Sequence, residues 1–147
     1  SQAHAVQAAR DLGVEGHVEF PGPVPKSRLP AVFADHDIFV NTTNVDNTPV
    51  TVVEALASGL CVVSTSVGGI PYLVEHERDA LLVPADDAVA MSEAIRRVLT
   101  MPSLAEQLSK GGRRNALDRD WSLLLPRWER LLRTVAQESR AATRPSL

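Results

Sequence analysis

Two short apolar runs with a helix-like segment between them constrain the fold of this chain more than any other feature. Residues 37–41 (DIFVN) and 61–65 (CVVST) are rich in apolar and β-branched side chains, as in strands that are buried on both faces. The segment between them, residues 49–58, has Glu54 as its only charge and is followed by Gly59, which predicts a mostly buried helix. A strand, a helix and a second strand in this order predict a parallel sheet.

The same alternation runs along the rest of the chain. It predicts an α/β fold, a Rossmann-like parallel sheet with helices on both faces, in which ligands bind beyond the carboxyl ends of the strands. We expect one domain over residues 1–138 and a frayed tail over residues 139–147. The predicted strands are His17–Phe20, Asp37–Asn41, Cys61–Thr65 and Ala80–Val83, and the predicted helices cover 3–12, 27–35, 49–58, 70–76, 84–101, 102–117 and 122–137.

Several aromatic and ionisable residues outside the central segment are expected to be structural. Trp121 and Trp128 belong to the last predicted helix, and we expect them to anchor it to the core. Cys61 stands in a predicted buried strand, which indicates an inert thiol. Residues 35–37 (DHD) resemble a metal or acid–base site, but they straddle a helix end and a strand start, which favours a structural role.

Composition excludes several classes of protein. A chain of 147 residues with 44% hydrophobic residues can bury one core of ordinary size. Its net charge of −3 argues against binding to nucleic acid, and its single cysteine excludes an internal disulfide and indicates a reducing compartment. No apolar run approaches the ~20 residues of a membrane span, and residues 1–4 do not begin a signal peptide. We therefore expect a cytoplasmic protein.

The start of the central helix has the properties of a phosphate site. Thr48 is a favourable N-cap and Pro49 a favourable first residue, so the first turn presents N–H groups and the positive end of the helix dipole. Because helical side chains lean toward the N-terminus, Glu54 points back over that turn. A buried carboxylate without a partner is costly, so Glu54 is expected to bind a polar group or a ligand. A nucleotide sugar, with phosphate at one end and hydroxyls at the other, fits both features.

The residues around this helix resemble the signature of retaining glycosyltransferases with the GT-B fold. In the large glycosyltransferase family four this signature reads E-G-F-P-x-x-x-x-E-A-M-A-x-G-x-P-V-V and then V-G-G-x-P. Here it stands as DNTPVTVVEALASGLCVV and VGGIP, with Asp46 and Glu54 as the two acids. The chain departs from the signature by Asp46 in place of Glu, by Asn47-Thr48 in place of Gly-Phe and by Cys61 in place of Pro. The strings HVEFPGPVP, ALLVP and DRDWSLLLPRWERLL extend the resemblance over nearly all of the chain.

The resemblance implies a role for each residue of the motif. Asp46 would be the catalytic residue, contacting the hydroxyls of the donor sugar and stabilising a cationic transition state. Glu54 would accept hydrogen bonds from the ribose. No metal or other cofactor is expected, because the helix dipole and basic side chains neutralise the leaving diphosphate. The further donor-binding residues would be Asn47, Thr48, Val50 and Thr51 at the helix start, Gly68 and Gly69 beside the diphosphate, and Val24 and Lys26 at the nucleobase.

Each of these residues also has a structural explanation, which the sequence leaves open. Glu54 would then be a solvent-facing residue on one helix stripe with Thr51 and Ser58. Asp46 would be a turn former. The glycine pair would only shape a turn between a strand and a helix, and the loop at residues 21–26 would be an ordinary surface loop.

The resemblance also implies what this chain lacks. It corresponds to roughly the last two-thirds of the C-terminal, donor-binding domain, truncated at its N-terminus and separated from the N-terminal acceptor domain. The family's strand order resembles 3-2-1-4-5-6, so the strand at residues 38–40 is left with an open edge. Either the strand at residues 17–20 folds in against that edge or two copies of the chain pair through it, and the homodimer is the favoured outcome. Contact with the inner face of a membrane would occur only through absent parts.

These observations predict the donor-binding part of a hexosyltransferase that moves a sugar from a nucleoside diphosphate sugar to a hydroxyl acceptor in glycan or glycolipid synthesis. The fragment alone is expected to be inactive, because it holds only one side of the reaction cleft. One alternative is a non-catalytic fragment that serves as a nucleotide-binding or assembly module. The other is a nicotinamide or flavin domain, against which the sequence has no G-x-G-x-x-G after a strand.

Overall fold

The computed structural model describes residues 2–142, and these form two units that divide between Val32 and Phe33. The first unit contains helix α1 (Gln2–Asp11), two 3₁₀ turns and the beginning of helix α2 (Leu29–Ala34). The 3₁₀ turns lie at Glu15–His17 and Lys26–Arg28. Helix α1 confirms the helix predicted at this end of the chain.

The strand predicted at His17–Phe20 is wrong. His17 closes a 3₁₀ turn, and residues 18–20 have no regular secondary structure. Val18 and Phe20 are 39% and 38% exposed, so this apolar run does not form the buried face of a sheet. A strand is stable only beside other strands, and the described part of this unit contains none.

The second unit is built around a sheet of three parallel strands. Strands β1 (Ile38–Asn41), β2 (Cys61–Thr65) and β3 (Leu81–Val83) lie in the order β1-β2-β3. Ile38 pairs with Cys61, and Val63 pairs with Leu81. Every residue of β2 is buried, as its central place in the sheet requires. The predicted α/β fold with a parallel sheet is confirmed.

Helices cover this sheet and form the core with it. Helix α3 (Val50–Ala57) lies between β1 and β2 in the chain, and α4 (Ile70–Leu73) lies between β2 and β3. Helices α5 (Ala88–Thr100) and α6 (Pro102–Leu117) follow, with α5 against β2 and β3 and α6 against α3, α5 and β2. One core cluster consists of Cys61, Val63, Leu81, Val83, Ala94, Val98, Leu104 and Leu108.

Cys61 belongs to this core, as predicted for a buried strand residue. It is 6% exposed, and its thiol donates to the carbonyl oxygen of Ala105 on α6 (3.3 Å). Burial raises the pKa of the Cys61 thiol, and the charge of Asp37 adds to that rise. A raised pKa lowers the thiolate fraction of Cys61, which agrees with the inert thiol expected from the sequence.

A buried carboxylate joins α6 to the segment that precedes β3. Asp79 is 1% exposed and accepts hydrogen bonds from Asn115 Nδ2 (2.6 Å), from Arg78 Nε (3.1 Å) and from the N–H of Glu75 (3.1 Å). Burial by itself would raise the pKa of Asp79, but these hydrogen bonds outweigh it and lower the pKa. Gly111 on α6 permits this approach, because a Cβ there would lie 2.1 Å from the carbonyl oxygen of Arg78. We call these four residues, Glu75, Arg78, Asp79 and Asn115, the Asp79 cluster.

Helix α7 (Trp121–Ala142) forms as a long helix, but none of its side chains between residues 121 and 138 is buried. Trp121 and Trp128 are 67% and 53% exposed, so their predicted role as core anchors is wrong. An amphipathic pattern shows which residues share a face of a helix, but not what covers that face. No described helix, α7 included, is long and apolar enough to cross a membrane. Residues 143–147 of the predicted frayed tail lie outside the described residues.

One edge of the sheet is open among the described residues. There β1 pairs with β2 on one side, and no strand lies on its other side. Val40, in the third position of β1, is 40% exposed. An open edge is what the sequence predicts for this strand, whereas the predicted homodimer through it stays a prediction.

Candidate functional site

The carboxyl ends of the three strands lie at one edge of the sheet, because the strands are parallel. Three loops follow them there. Residues 42–49 follow β1 and are called the Asp46 loop, residues 66–69 follow β2, and residues 84–87 follow β3. Ligands of sheets with this topology bind at this edge. The first two loops and α3 contain most of the residues that the sequence predicts, so this edge is the candidate site.

The Asp46 loop is attached to β2 at its first residues. Asn41, the last residue of β1, donates from Nδ2 to the hydroxyl of Ser64 (3.0 Å). The hydroxyl of Thr65 donates to the carbonyl oxygen of Thr43 (2.5 Å). Ser64 and Thr65 are 0% and 3% exposed, so both contacts are partly shielded from water and join the beginning of the loop to β2.

The glycine pair after β2 touches the backbone of the Asp46 loop. The N–H of Gly69 donates to the carbonyl oxygen of Asp46 (3.2 Å). A Cβ at Gly68 would lie 1.7 Å from the carbonyl oxygen of Asp46, and a Cβ at Gly69 would lie 1.5 Å from that of Asn47. Only glycine allows two backbones to approach this closely. The structure therefore brings four of the predicted site residues together.

Thr48 does not cap α3, contrary to its prediction. The helix begins at Val50, Pro49 occupies the N-cap position with φ −67° and ψ 113°, and no side chain caps the helix. Proline fixes its own φ but not its ψ, and the extended ψ at Pro49 delays the helix by one residue. The N–H groups of Val50 and Thr51 are therefore the first two of the helix, where no partner within the helix exists.

Glu54 lies in the middle of α3 and is half-buried. Among the described residues, no group donates a hydrogen bond to its carboxylate and no cation pairs with it. The hydroxyl and the N–H of Ser58 bond to the backbone oxygen of Glu54, not to its side chain (2.9 and 3.0 Å). The carboxylate thus lies on a helix that is buried on one side, and its hydrogen-bonding capacity is unused.

The side chain of Asp46 has the same property. Asp46 is half-buried, and within the described part of the chain its carboxylate accepts no hydrogen bond and forms no ion pair. Its backbone oxygen, by contrast, is fixed by Gly69. Asn47 and Thr48 beside it are exposed. The site therefore combines a rigid loop backbone with an acidic side chain that is available to a ligand.

Two residues of this edge were missed by the sequence interpretation. Asn44 donates from Nδ2 to Oδ1 of Asp86 in the loop after β3 (2.7 Å). Both residues line a cavity of about 500 Å³ whose walls also include Thr42, Thr65, Met91 and Ile95. None of the predicted site residues lines this cavity, which lies beside the Asp46 loop. The only signal in the sequence is the position of Asn44 and Asp86 after predicted strands, which is too general to pair them.

The predicted nucleobase residues belong to the other unit. Val24 is half-buried and Lys26 is exposed, in and just before the 3₁₀ turn at Lys26–Arg28. Their role at a nucleobase stays a prediction. In the described part of the chain, no group of three or more His, Cys, Asp and Glu side chains is placed to hold a metal ion.

The arrangement suits one kind of ligand. The first N–H groups of α3 and the positive end of its dipole favour a phosphate. The unpartnered carboxylates of Glu54 and Asp46 are acceptors for hydroxyl groups. The edge of the sheet can therefore bind an anion and hydroxyls at the same time.

Comparison with known proteins gives a family. A family model described as "Glycosyl transferases group 1" matches residues 1–101. The D-inositol 3-phosphate glycosyltransferase of Saccharomonospora viridis is 31% identical over 113 residues, which are 77% of this chain and 26% of that protein. The chain thus spans about a quarter of the length of this relative.

Solved structures show the same fold. A sucrose-phosphate synthase from Thermosynechococcus elongatus superimposes with a TM-score of 0.81 at 26% identity, over 92% of this chain and 34% of that one. HepE of Anabaena, in complex with UDP-glucose, superimposes with a TM-score of 0.75 at 23% identity, over 80% of this chain and 32% of that one. These likenesses agree with the predicted Rossmann-like part of a GT-B fold.

Proposed function

Because the chain belongs to the group 1 glycosyl transferases, we propose that it forms part of the donor-binding domain of a retaining enzyme. That enzyme moves a sugar from a nucleoside diphosphate sugar to a hydroxyl acceptor in glycan or glycolipid synthesis. The observation that carries the proposal is the half-buried Glu54, whose carboxylate has no partner among the described residues. A half-buried carboxylate needs hydrogen bonds from water or from a ligand. The place of Glu54 on α3 favours a ligand at the carboxyl edge of the sheet.

The start of α3 would bind the diphosphate, and Glu54 the ribose. The N–H groups of Val50 and Thr51 precede the first hydrogen bond of the helix, which Val52 donates to the oxygen of Pro49 (3.1 Å). They are therefore available to the distal phosphate, and the helix dipole adds to the attraction. One turn further along the helix, the Glu54 carboxylate would accept hydrogen bonds from both ribose hydroxyls.

Asp46 would act on the donor sugar. Its carboxylate would contact the sugar hydroxyls and stabilise the positive charge that develops when the bond to the diphosphate breaks. Asn47, Thr48, Gly68 and Gly69 surround it and would complete the donor site. The HepE structure, which contains UDP-glucose on a similar fold, supports a donor of this class.

The remaining parts of the proposal concern the base and the cofactor. Val24, through its backbone, and Lys26, through its side chain, would contact the nucleobase. No metal takes part in the proposed reaction, because the dipole of α3 and basic side chains of the complete enzyme would neutralise the leaving diphosphate.

We propose that a further domain of the same enzyme binds the acceptor and covers α7. Trp121, Trp128 and Leu132 on this helix are 67%, 53% and 62% exposed. An exposed apolar patch of this kind marks an interaction surface. The relative from Saccharomonospora viridis, about four times longer than its match to this chain, has room for such a domain.

In this proposal the chain alone transfers no sugar. Positioning of both substrates supplies much of the rate of such a reaction, and the acceptor would be bound elsewhere. We expect incubation with UDP-glucose, GDP-mannose or ADP-glucose to release no more nucleotide than a heat-treated sample does. Turnover above that control would contradict this part of the proposal, whereas a complete enzyme that binds nucleotide without turnover would favour a non-catalytic binding module.

The open edge of β1 supports self-association. Its Val40 side chain is 40% exposed, and an unpaired apolar edge is a template for another strand. We expect a homodimer through this edge at micromolar concentration, which light scattering after gel filtration would detect. Val40→Lys should convert the homodimer to the monomer. A parent chain that is already monomeric would contradict the prediction.

The experiment that tests the donor site is a titration of the ¹⁵N-labelled chain with UDP, GDP and ADP, followed by amide chemical shifts. Binding by one of the three should move the amides of Val50, Thr51 and Gly68 and leave those of the Asp79 cluster in place. The sugar derivatives of the nucleotide that binds should also move the amide of Asp46. If none of the nucleotides shifts the amides of α3, the proposed function is wrong.

A further inference from the structure

The Asp46 loop is attached to its surroundings on two sides, and one attachment uses a residue without an assigned role. Asn44, two residues before Asp46, donates to the carboxylate of Asp86 in the loop after β3 (2.7 Å). We propose that Asp86 is a positioning residue, which holds Asn44 and thereby fixes the place of Asp46. The part of this inference that concerns the donor sugar rests on the proposed function, whereas the part that concerns the loop does not.

The side chain of Asp86 serves the loop and not the helix that follows. The N-cap of α5 is its neighbour Asp87, whose Oδ1 accepts a hydrogen bond from the N–H of Ala90 (2.8 Å). The helix start is therefore satisfied without Asp86. The hydrogen bond to Asn44 is instead a contact between residues 42 positions apart in the chain, and it links the loops after β1 and β3.

The backbone of Asp86 supports the same interpretation. Its φ is +57°, in the left-handed region that glycine adopts most easily. Aspartate tolerates this region better than most residues but remains strained there. Strained residues persist where the surrounding structure over-determines them, and they cluster at functional sites. In this conformation the carboxylate of Asp86 accepts the hydrogen bond from Asn44.

The other side of the loop is held by polar contacts as well. Gly69 donates to the backbone oxygen of Asp46, and Thr65 donates to that of Thr43. Packing contributes little at the tip, since Val45 is 89% exposed. Because so little apolar surface is buried there, the hydrogen bonds decide where the carboxylate of Asp46 lies. Asp86 accepts the hydrogen bond that holds the loop from the side of β3.

The loop itself can be tested without any ligand. In Asp86→Gly the carboxylate is lost and the backbone strain is removed, so the amide order parameters of Val45 and Asp46 should fall from about 0.85 toward 0.6 while the melting temperature stays the same or rises. Asp86→Asn keeps an oxygen acceptor for Asn44 and should restore the order parameters. Asp87→Ala, a matched loss of one charge at the next residue, should lower the melting temperature and leave the loop unchanged. Unchanged order parameters in Asp86→Gly would overturn the inference, whether or not the chain binds nucleotide.

A second measurement connects the loop to the donor sugar. With UDP and UDP-glucose as probes, the ratio of their two dissociation constants isolates the contribution of the sugar. Asp86→Gly should reduce the preference for UDP-glucose roughly threefold to tenfold, the effect of one hydrogen bond, and leave the affinity for UDP alone unchanged. Asp46→Ala should reduce the preference at least as much. If Asp46→Ala changes the ratio and Asp86→Gly does not, the inference is wrong.

The same comparison separates the inference from the proposed function. If Asp46→Ala does not change the ratio, the role of Asp46 on the sugar is wrong, and so is the proposed function at that residue. The inference that Asp86 positions the loop then depends on the order parameters alone. Loss of order in Asp86→Gly would support it, and retained order would overturn it.

Discussion

The Asp79 cluster and helix α3 each contain an acidic side chain that is at least partly withdrawn from solvent, but the two carboxylates have opposite surroundings. Asp79 is 1% exposed and accepts hydrogen bonds from Asn115, Arg78 and the backbone of Glu75. Glu54 is half-buried on an otherwise apolar helix and has no partner among the described residues. In the sequence Glu54 is the only charge of an apolar helix, whereas Asp79 follows a charged run at residues 75–78, and only the structure shows that Asp79 is buried and hydrogen-bonded.

This difference separates a structural carboxylate from one that is available to a ligand. Buried polar groups in folded proteins are almost always hydrogen-bonded, and the described residues include no fully buried side-chain nitrogen or oxygen without a partner. Glu54 and Asp46 are half-buried and not fully buried, and they have no such partner among the described residues. Their carboxylates therefore keep their hydrogen-bonding capacity for water or a ligand.

The largest expected effect is on the free energy of unfolding and concerns Asp79, the structural carboxylate. Asp79→Ala removes the acceptor of hydrogen bonds from three residues and leaves Asn115 and the N–H of Glu75 without it, so the free energy of unfolding should fall by about 3 kcal/mol. Urea unfolding monitored by circular dichroism measures this change. Nucleotide binding, corrected for the unfolded fraction, should not change.

A matched control for Asp79→Ala is the exposed Glu106. Its carboxylate pairs with Lys110 one turn away on α6 (2.5 Å), and both side chains lie in solvent. Removing one partner of an exposed pair has little effect, so Glu106→Ala should unfold at nearly the same urea concentration as the parent. Equal losses of unfolding free energy in Asp79→Ala and Glu106→Ala would show that the Asp79 cluster stabilises the fold no more than an exposed ion pair does.

The second largest effect is on the binding side. Glu54→Gln removes the charge that would hold two ribose hydroxyls, which contributes roughly 2–3 kcal/mol, so nucleotide affinity should fall by tens of fold. Calorimetry or NMR measures this affinity by titration with the nucleotide that the parent binds. Glu93→Gln, on the exposed side of α5, is the control. If the glutamine variant binds as tightly as the parent, Glu54 does not hold the ribose.

The elements of the second unit could be predicted from the sequence because local signals agreed there. The apolar and β-branched residues of β2, the helix before Gly59 and the glycine pair at residues 68–69 each indicated the same topology. The site followed from that topology, since the carboxyl ends of parallel strands meet at one edge. Even the unusual lone charge of Glu54 was visible, because a single acid on an apolar helix needs an explanation.

The failures have one physical cause, which is that local pattern does not reveal tertiary partners. The run at His17–Phe20 has the composition of a strand but no strand beside it within its unit. Trp128 has the spacing of a core residue on α7 but is 53% exposed. The contact between Asn44 and Asp86 joins residues 42 positions apart through two loops, and no periodicity connects loops. Each of these features depends on a neighbour that is distant in sequence.

The third expected effect is that the stability contributed by Asp79 depends on pH. Hydrogen bonds hold the pKa of Asp79 below its ordinary value, so the folded state favours the ionised carboxylate. The stabilisation is fully present above the unfolded pKa near ~3.9 and is lost as the pH falls through the lower pKa of the folded state. The difference in unfolding free energy between the parent and Asp79→Asn should therefore shrink below about pH 4. A difference that stays constant down to pH 2 would contradict the lowered pKa.

The smallest expected effect has the opposite sign to the largest. Glu54→Gln neutralises a half-buried carboxylate that no described residue satisfies, so it should leave the nucleotide-free chain as stable as the parent or raise its unfolding free energy by about 0.5 kcal/mol. Residues that serve ligands are often held at some cost to the stability of the free protein, and removing the charge relieves that cost. Urea unfolding without nucleotide measures the change, and Asp79→Asn in the same experiment should be clearly destabilised. A comparable loss of unfolding free energy in Glu54→Gln would show that Glu54 stabilises the fold as Asp79 does. The distinction between the two carboxylates would then be wrong.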